Sequence, residues 1–426
     1  MLKSKWFIIQ EGSLLPKELY KLFKEEFQIG DIGLKPGNTY ISKFVGFILK
    51  EDKCLISFPK HYFSPRVLQE LQPVKESDKV FLNKDLKLLF NVIKKSANQR
   101  SIQSIGMEGE INYNYPFQSF FEVYNYYLKY GLYTNERDIK VSGYSGNINW
   151  KQTILKSPMI LTSNNLIYMP MVIKKKLNEH AFISKCMAYI IDSTAEFLSV
   201  FIDIKRTNLD FKEINWNNNK LIIRHLREIK QSIFKDIHVK LINSLIKFFQ
   251  KENTGKNLIL IKTQNFELIW EAMVGSYLQN YFKRINEHGY IEFSGDKNPV
   301  QKPFNKRVFY PDIAGKKGRR FEPDYYLLEG NVRYIFDGKY FNEIKELNYK
   351  QISYYFLLKH YEKNFNGIDI VNTYNILLLP TYKENSDQGN YVNHFQLNPL
   401  FNDNEKDFSI KEQYCNVKII MSSYIN

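Results

Sequence analysis

The stretch Phe321–Tyr340, FEPDYYLLEGNVRYIFDGKY, decides how the C-terminal part of this chain folds. Tyr325–Leu328 and Val332–Phe336 are runs of aromatic, β-branched and apolar residues, and Gly330-Asn331 between them is a two-residue hairpin signal. That turn fixes a register in which Leu328 faces Arg333, Leu327 faces Tyr334 and Tyr326 faces Ile335. Carried to the open end, the register sets Asp324 opposite Asp337. Side chains alternate along a strand, so Lys339 leaves the same face as Asp337. Two carboxylates and an amine therefore converge at one end of a hairpin. A plain Asp-Gly turn at Asp337-Gly338 is the competing reading, but Gly330-Asn331 already closes these strands.

The flanking residues supply a frame. Phe266–Phe282, FELIWEAMVGSYLQNYF, has Ile269, Trp270, Met273, Val274, Tyr277 and Leu278 at helical spacing. Glu267 and Glu271 lie four apart on one side of it, and either can be the acid that faces the hairpin; the neighbours Trp270 and Ala272 favour Glu271. Ala272 and Gly275 imply close packing against another element. Tyr290–Phe293 and Val308–Ile313 are strand candidates. A helix is expected over Asn342–Asn364, and Tyr374–Leu379, ending at Pro380, reads as a strand returning parallel to Val332–Lys339.

Upstream, FVGFIL (Phe44–Leu49) and CLISF (Cys54–Phe58) read as strands, the second stopped by Pro59. Val67–Leu71 and Asp85–Ile93 have helical spacing. Pro116–Tyr133 reads as a helix with Phe117, Phe121, Tyr124 and Leu128 on its core face, stopped by Gly131. Val141–Ile154 reads as a glycine-punctuated loop, whose GYSG lacks the spacing of a serine nucleophile elbow. Residues 178–250 read as long helices, the second over Leu221–Gln250. His180, His225 and His238 have no second ligand at metal spacing. Lys251–Lys256, KENTGK, marks a boundary and lacks the pattern of a phosphate-binding loop. The expected fold class is α/β (α+β overall). Its expected divisions are a mixed region at 1–165, a helical scaffold at 166–255, and a domain at 256–426 with a mixed sheet flanked by helices.

The 426 residues carry 60 Lys+Arg against 45 Asp+Glu, a formal charge of +15, which fits a polyanionic partner. The three cysteines are scattered, so disulfide and cysteine-zinc frameworks are not expected. Trp6–Ile9 is too short for a signal peptide, and no apolar run approaches the roughly 20 residues of a membrane span. A cytoplasmic protein without membrane association is the expectation.

Facing carboxylates suit a hard divalent cation, Mg²⁺ with Mn²⁺ as substitute, which takes oxygen ligands and keeps waters for a phosphate substrate. Asp324 and Asp337 are the candidate ligands, with Glu271 as a third and the Gly338 carbonyl as a further oxygen. The metal would polarise a phosphate and lower the pKa of an attacking water. Lys339 would orient that water or neutralise developing charge. Gln351 and Tyr355, four apart on the next helix, are candidates to steady the site or touch phosphate. Lys302, Lys306, Arg307, Lys316, Lys317, Arg319 and Arg320 form a basic cluster suited to a nucleic-acid backbone, with Lys316, Lys317, Arg319 and Arg320 as the chosen substrate contacts. A second Pro-Asp, Pro311-Asp312, lacks the hairpin register.

Pro323-Asp324 followed by Asp337-Gly338-Lys339 resembles the signature of the PD-(D/E)XK nuclease superfamily, and Gln351…Tyr355 resembles the QxxxY of several of its branches. FVGFI…ISFPKHY (Phe44–Tyr62), SGYSGNINWKQTI (Ser142–Ile154) and IWEAMV (Ile269–Val274) resemble LlaJI-type restriction endonucleases, relatives of the McrC nuclease subunits. The resemblance implies Mg²⁺-dependent cleavage of double-stranded DNA in a restriction, phage-defence system. It also implies a cognate methyltransferase and a separately encoded McrB-like AAA+ NTPase, with residues 1–165 serving DNA recognition or partner engagement. A repair- or recombination-type nuclease, and a catalytically silent DNA-binding assembly protein, are the alternatives on the same fold.

Overall fold

Tyr325–Glu329 and Val332–Gly338 pair antiparallel from Glu329↔Val332 to Tyr325↔Phe336, the register expected from the turn. Gly330 has φ +61°, at the loop position where two-residue turns of the II′ kind place glycine. The structure is a computed structural model that describes residues 5–37, 39–103, 112–113, 115–144, 146–162, 165–180, 182–199, 201–251, 258–315, 320–346, 349–384, 388–401 and 408–426.

The hairpin is the edge of a five-stranded mixed sheet. From it the order runs through Asn372–Thr381 and Ser409–Asn416 to Tyr391–Gln396. Val332–Gly338, Asn372–Thr381 and Ser409–Asn416 are mutually parallel, and the two outer strands are antiparallel to their neighbours. The helix Tyr349–Asn366 supplies the crossover between the first two parallel strands, as parallel pairing demands. It buries Tyr355 with Leu377, Leu379, Phe408 and Ile410, and Tyr354 and Leu358 with Phe309, Tyr326 and Ile335. The helix Phe266–Tyr281 buries Ile269, Trp270, Met273, Val274, Tyr277 and Leu278, the face read from their spacing. Trp270 Nε1 donates to the carbonyl of Leu378 at 3.3 Å, which seats that helix on the central strand.

Contacts divide the chain differently from the expected three segments. Residues 2–113 and 257–426 form one compact unit, and residues 114–256 form another. The reason lies in a second five-stranded sheet, ordered Lys5–Gln10, Lys53–Phe58, Val45–Lys50, Leu258–Thr263, Asn112–Tyr113. Leu258–Thr263, expected in the C-terminal domain, is antiparallel to Val45–Lys50 across six residue pairs. Gly46, at φ +135°, permits this approach, because a Cβ there would lie 2.1 Å from the carbonyl oxygen of Ile261. Lys262 and Asp31 form a fully buried ion pair in the same unit, and Gln264 Nε2 donates to Asp31 Oδ1 at 2.9 Å.

The unit 114–256 holds the helices Phe117–Tyr130, Phe182–Leu198, Asn219–Lys230 and Asp236–Lys251, and a long antiparallel pair, Thr134–Gly143 with Met171–His180. Three expectations are corrected here. Val141–Ile154 is not a loop: it finishes one strand, contains the short strand Asn147–Ile148 and enters the helix Trp150–Lys156. The helix expected over Leu221–Gln250 is broken at residues 231–235, between Asn219–Lys230 and Asp236–Lys251. In Phe117–Tyr130 the buried residues are Ser119, Phe120, Val123 and Tyr124, whereas Leu128 is exposed, so the aromatic stripe is rotated by about one position. His225 stacks on Phe182 with ring centroids 4.3 Å apart, and Tyr126 Oη lies 3.2 Å from His238 Nδ1.

In the unit that carries the hairpin, Val308–Ile313 forms no strand among the described residues; Phe309 makes a single bridge to Phe321. The helix expected from Asn342 begins at Tyr349. Cys54, Cys186 and Cys415 are buried free thiols, and no helix among the described residues is long and apolar enough to cross a membrane. KENTGK at 251–256 lies outside the described residues except Lys251.

Candidate active site

Asp324 precedes the first strand of the hairpin and Asp337 is the penultimate residue of the second. Beyond the last ladder pair the two ends stay together: the Gly338 N–H donates to Asp324 Oδ2 at 3.1 Å, and the two carboxyls are hydrogen-bonded to each other. Burial, the hydrogen bond to Asp337 and the negative charges of Asp337 and Glu271 push Asp324 up to about 9, against the pull of Lys339. Burial works to raise Asp337 too, but hydrogen bonds from Asp324, Lys339 and Gln351 and the Lys339 charge hold it below the usual carboxylate range. The pair therefore shares one proton.

Lys339 Nζ lies 2.6 Å from Asp337 Oδ2, so the alternation rule placed the amine correctly. Its backbone N–H donates to the Leu378 carbonyl at 2.9 Å, the same oxygen that Trp270 Nε1 reaches. From the crossover helix, the fully buried Gln351 donates through Nε2 to Asp337 Oδ2 at 3.4 Å.

The helix Phe266–Tyr281 brings Glu271 to the same end. Tyr325 Oη donates to the Glu271 carbonyl at 2.6 Å, and the ring of Tyr325 lies against Gly275, where a Cβ would be 3.0 Å from Cε1. Gly338 faces the helix directly: a Cβ there would be 2.9 Å from Tyr325 Oη, 3.4 Å from Glu271 Cγ and 3.6 Å from Glu271 Cα. Burial raises the Glu271 carboxyl, Lys306 lowers it, Asp337 raises it and Lys339 lowers it. Glu267, one turn earlier, adds its charge to the surroundings of Glu271 and also of Glu11 and Tyr340.

The remaining candidates separate from this group. Tyr355 is core: its ring centroid is 4.2 Å from that of Phe408, and its carbonyl accepts from Arg333 Nη2 at 2.7 Å. Arg320 Nε is 2.7 Å and Lys306 Nζ 3.5 Å from Glu322, while Lys302 Nζ is 2.6 Å from Glu329. Arg307 is 3.8 Å from the buried Glu362 and lies over the rings of Phe309 and Tyr326. The described members of the basic cluster are thus each paired with an acid beyond residue 320. Lys316, Lys317 and Arg319 lie outside the described residues. Asp312 Oδ1 accepts from the Ala314 N–H at 3.3 Å within its own turn. Sequence reasoning missed Lys306 as a neighbour of Glu271 and Gly338 as the contact point for the helix; the glycine between Asp337 and Lys339 was the available signal for the second.

Two adjacent carboxylates forced to share a proton are the donor set that a divalent cation relieves, and oxygen donors suit Mg²⁺. Asp324 and Asp337 fit such an ion. Among the described residues no three acidic, histidine or cysteine side chains are grouped to hold a metal, so Glu271 stands outside a ready-made ligand set.

An acid pair and an amine, with Glu271 on the facing helix, converge at the open end of the hairpin. The model of the LlaJI restriction endonuclease family matches residues 44–391, and the chain belongs to that family, which makes it a nuclease of the restriction type. Among solved structures it is similar to a refined half-complex from a tetradecameric assembly of Thermococcus gammatolerans McrB AAA+ hexamers with bound McrC, at 11% identity and a TM-score of 0.38. That likeness covers 99% of this chain and 98% of the other. No curated protein matches the chain.

Proposed function

We propose that this chain is the Mg²⁺-dependent endonuclease subunit of a restriction system, hydrolysing phosphodiester bonds of double-stranded DNA with a PD-(D/E)XK-type site. The observation that carries the reading is the convergence of Asp324, Asp337 and Lys339 at the open end of one hairpin, in a member of a restriction endonuclease family. Asp324 and Asp337 would hold the ion, which would supply polarisation of the scissile phosphate. Lys339 offers its ammonium to the phosphate oxygens or to the attacking water. Glu271, on the facing helix, orients water on the same side, and Gln351 fixes the Asp337 carboxylate by its amide. Lys316, Lys317, Arg319 and Arg320 are proposed contacts to the DNA backbone, Arg320 by exchanging Glu322 for phosphate.

The partner NTPase is proposed to be a McrB-like AAA+ subunit, on the resemblance of Phe44–Tyr62, Ser142–Ile154 and Ile269–Val274 to the LlaJI and McrC group, with a cognate methyltransferase in the same system. Recognition of DNA or of that partner is assigned to the unit 114–256. Trp150, Ile154, Leu155, Met159, Leu161 and Leu166 are exposed there. The sequence from Ile139 to Asn178 carries six lysines and no acid.

The test is plasmid cleavage by the full chain with and without Mg²⁺, and with and without the system's NTPase and nucleotide, on methylated and unmethylated DNA. Metal-dependent cutting lost in Asp337→Ala supports the reading; cutting by Asp337→Ala at the wild-type rate overturns it.

A further inference from the structure

Residues Phe44–Tyr62 carry a conspicuous motif, FPKHY, that the site itself does not use. Its lysine reaches the residue after Lys339. The Lys60 N–H donates to Tyr340 Oη at 2.8 Å, and Tyr340 Oη–H donates in turn to Glu11 Oε2 at 2.7 Å. Lys60 Nζ donates to the Tyr340 carbonyl at 3.3 Å, lies 3.9 Å from Glu11 Oε1 and sits 4.6 Å from the centre of the Tyr340 ring. Glu11 and Tyr340 are both buried.

The origin of the three residues makes this a fixture. Glu11 follows Lys5–Gln10 and Lys60 follows Lys53–Phe58, two parallel strands whose ends are level at Gln10↔Phe58. The Glu11 N–H donates to the Phe58 carbonyl at 2.8 Å, so both groups leave one rigid strand end. On the other side the Tyr340 ring meets Phe266 and Trp270 at 5.4 and 6.4 Å. Lys339 is thus gripped from both sides: its own N–H is held by Leu378, and the next residue is held through side chain and carbonyl. A lysine directly bonded to Asp337 must be placed to within about half an ångström to serve chemistry, and side chains locked by packing and supporting hydrogen bonds supply that precision.

We infer that Glu11, Lys60 and Tyr340 are positioning residues that fix Lys339 beside Asp337, so that residues 2–113 belong to the cleavage machinery. This inference rests on the proposed nuclease reading. Buried, mutually hydrogen-bonded groups of this kind act as a unit, so loss of one member releases the others.

The experiment compares wild type, Tyr340→Phe, Glu11→Leu and Glu11→Gln as full chains, with Asp337→Asn as control. Two readouts are taken well below the thermal midpoint. The first is single-turnover plasmid cleavage in Mg²⁺ with the system's NTPase present, resolved into a maximal rate and a half-saturating DNA concentration. The second is amide hydrogen exchange of the peptide that contains Gly338–Tyr340. Tyr340→Phe keeps the ring packing and removes only the hydroxyl. It and Glu11→Leu are expected to lower the maximal rate about tenfold with the half-saturating DNA concentration unchanged, and to speed exchange at Lys339 about tenfold. Glu11→Gln, which retains an oxygen acceptor, is expected to keep most of the rate. Unchanged exchange at Lys339 in Tyr340→Phe overturns the inference, as does a wild-type rate in that variant. Cleavage by Asp337→Asn, or none by wild type, overturns the nuclease reading instead, and the exchange readout still decides the positioning role.

Discussion

The Gly338 N–H points at Asp324 Oδ2, 3.1 Å away, and so carries the antiparallel pairing one step past Tyr325↔Phe336. That bond sets the distance between the two carboxyls that share a proton. An amide at either position keeps an oxygen acceptor, at Asp324 for the Gly338 N–H and at Asp337 for Lys339 and Gln351, so either acid can be neutralised without loosening the hairpin. Asp337→Asn is therefore expected to abolish metal-dependent cleavage, by about a thousandfold or more, while leaving the thermal midpoint equal to or above that of wild type. Cleavage rate and differential scanning calorimetry on the same preparation check both halves.

Glu271 and Glu267 divide along the same helix. The charges of Asp337, Lys339 and Lys306 act on the first, whereas the charge of the second also reaches Glu11 and Tyr340. Glu271→Gln is expected to slow cleavage by roughly a hundredfold, in the range for a positioned acid–base or water-orienting group. Glu267→Gln is expected to stay within about threefold, since no reacting group is beside it. Equal effects of the two substitutions would refute the assignment.

Gly338 is where strand and helix touch. A methyl at this position meets Tyr325 Oη at 2.9 Å and Glu271 Cγ at 3.4 Å, so Gly338→Ala is expected to cost about 1–3 kcal/mol and to displace Glu271. Tyr325→Phe removes the obstructing oxygen at the expense of its bond to the Glu271 carbonyl. The double variant Gly338→Ala/Tyr325→Phe should therefore be less destabilised than the sum of the singles. Urea unfolding of the four proteins measures the coupling.

Much of the hairpin was legible in the sequence because its information is local. Gly330-Asn331 fixes the register, alternation then puts Asp337 and Lys339 on one side, and the apolar spacing of Ile269 to Leu278 names the buried face of the helix. Helical spacing puts Tyr355 with Gln351 without saying how far the sheet extends; Phe408 and Leu379 cover it. Lys302, Lys306, Arg307 and Arg320 pair with Glu322, Glu329 and Glu362, which lie beyond the basic cluster in the chain and so carry no local mark of the pairing. The domain division was not legible at all. Leu258–Thr263 pairs with Val45–Lys50, about two hundred residues away, and a single apolar strand carries no mark of its partner.

Lys262 and Asp31 hold that distant pairing with charges that are fully buried on both sides. Lys262→Met leaves an uncompensated carboxylate in the interior and is expected to destabilise by about 3–5 kcal/mol, whereas Lys262→Met/Asp31→Leu should recover most of the loss. Chemical denaturation of both variants decides it, and equal destabilisation would show that the pair itself, not the unpaired charge, matters.

Asn112–Tyr113 lies beside Lys262 and Ile261, so the chain leaves this unit and re-enters it on neighbouring strands of one sheet. The unit 114–256 therefore has the connectivity of an insertion, and its removal need not disturb the sheet. A chain of residues 2–113 joined to 257–426 by about five glycine and serine residues spans the gap of a few strand residues and is expected to unfold in one cooperative transition. Residues 256–426 alone expose Leu260, which packs against Ile9, Phe44, Ile48 and Leu55 of residues 2–113, and are expected to aggregate. The joined protein also separates the two roles proposed for the chain. It retains Asp324, Asp337, Lys339, Glu271, Glu11 and Lys60, so it should cut DNA slowly in Mg²⁺ without site preference and without stimulation by the NTPase. Stimulation equal to that of the full chain would place the partner contact outside residues 114–256.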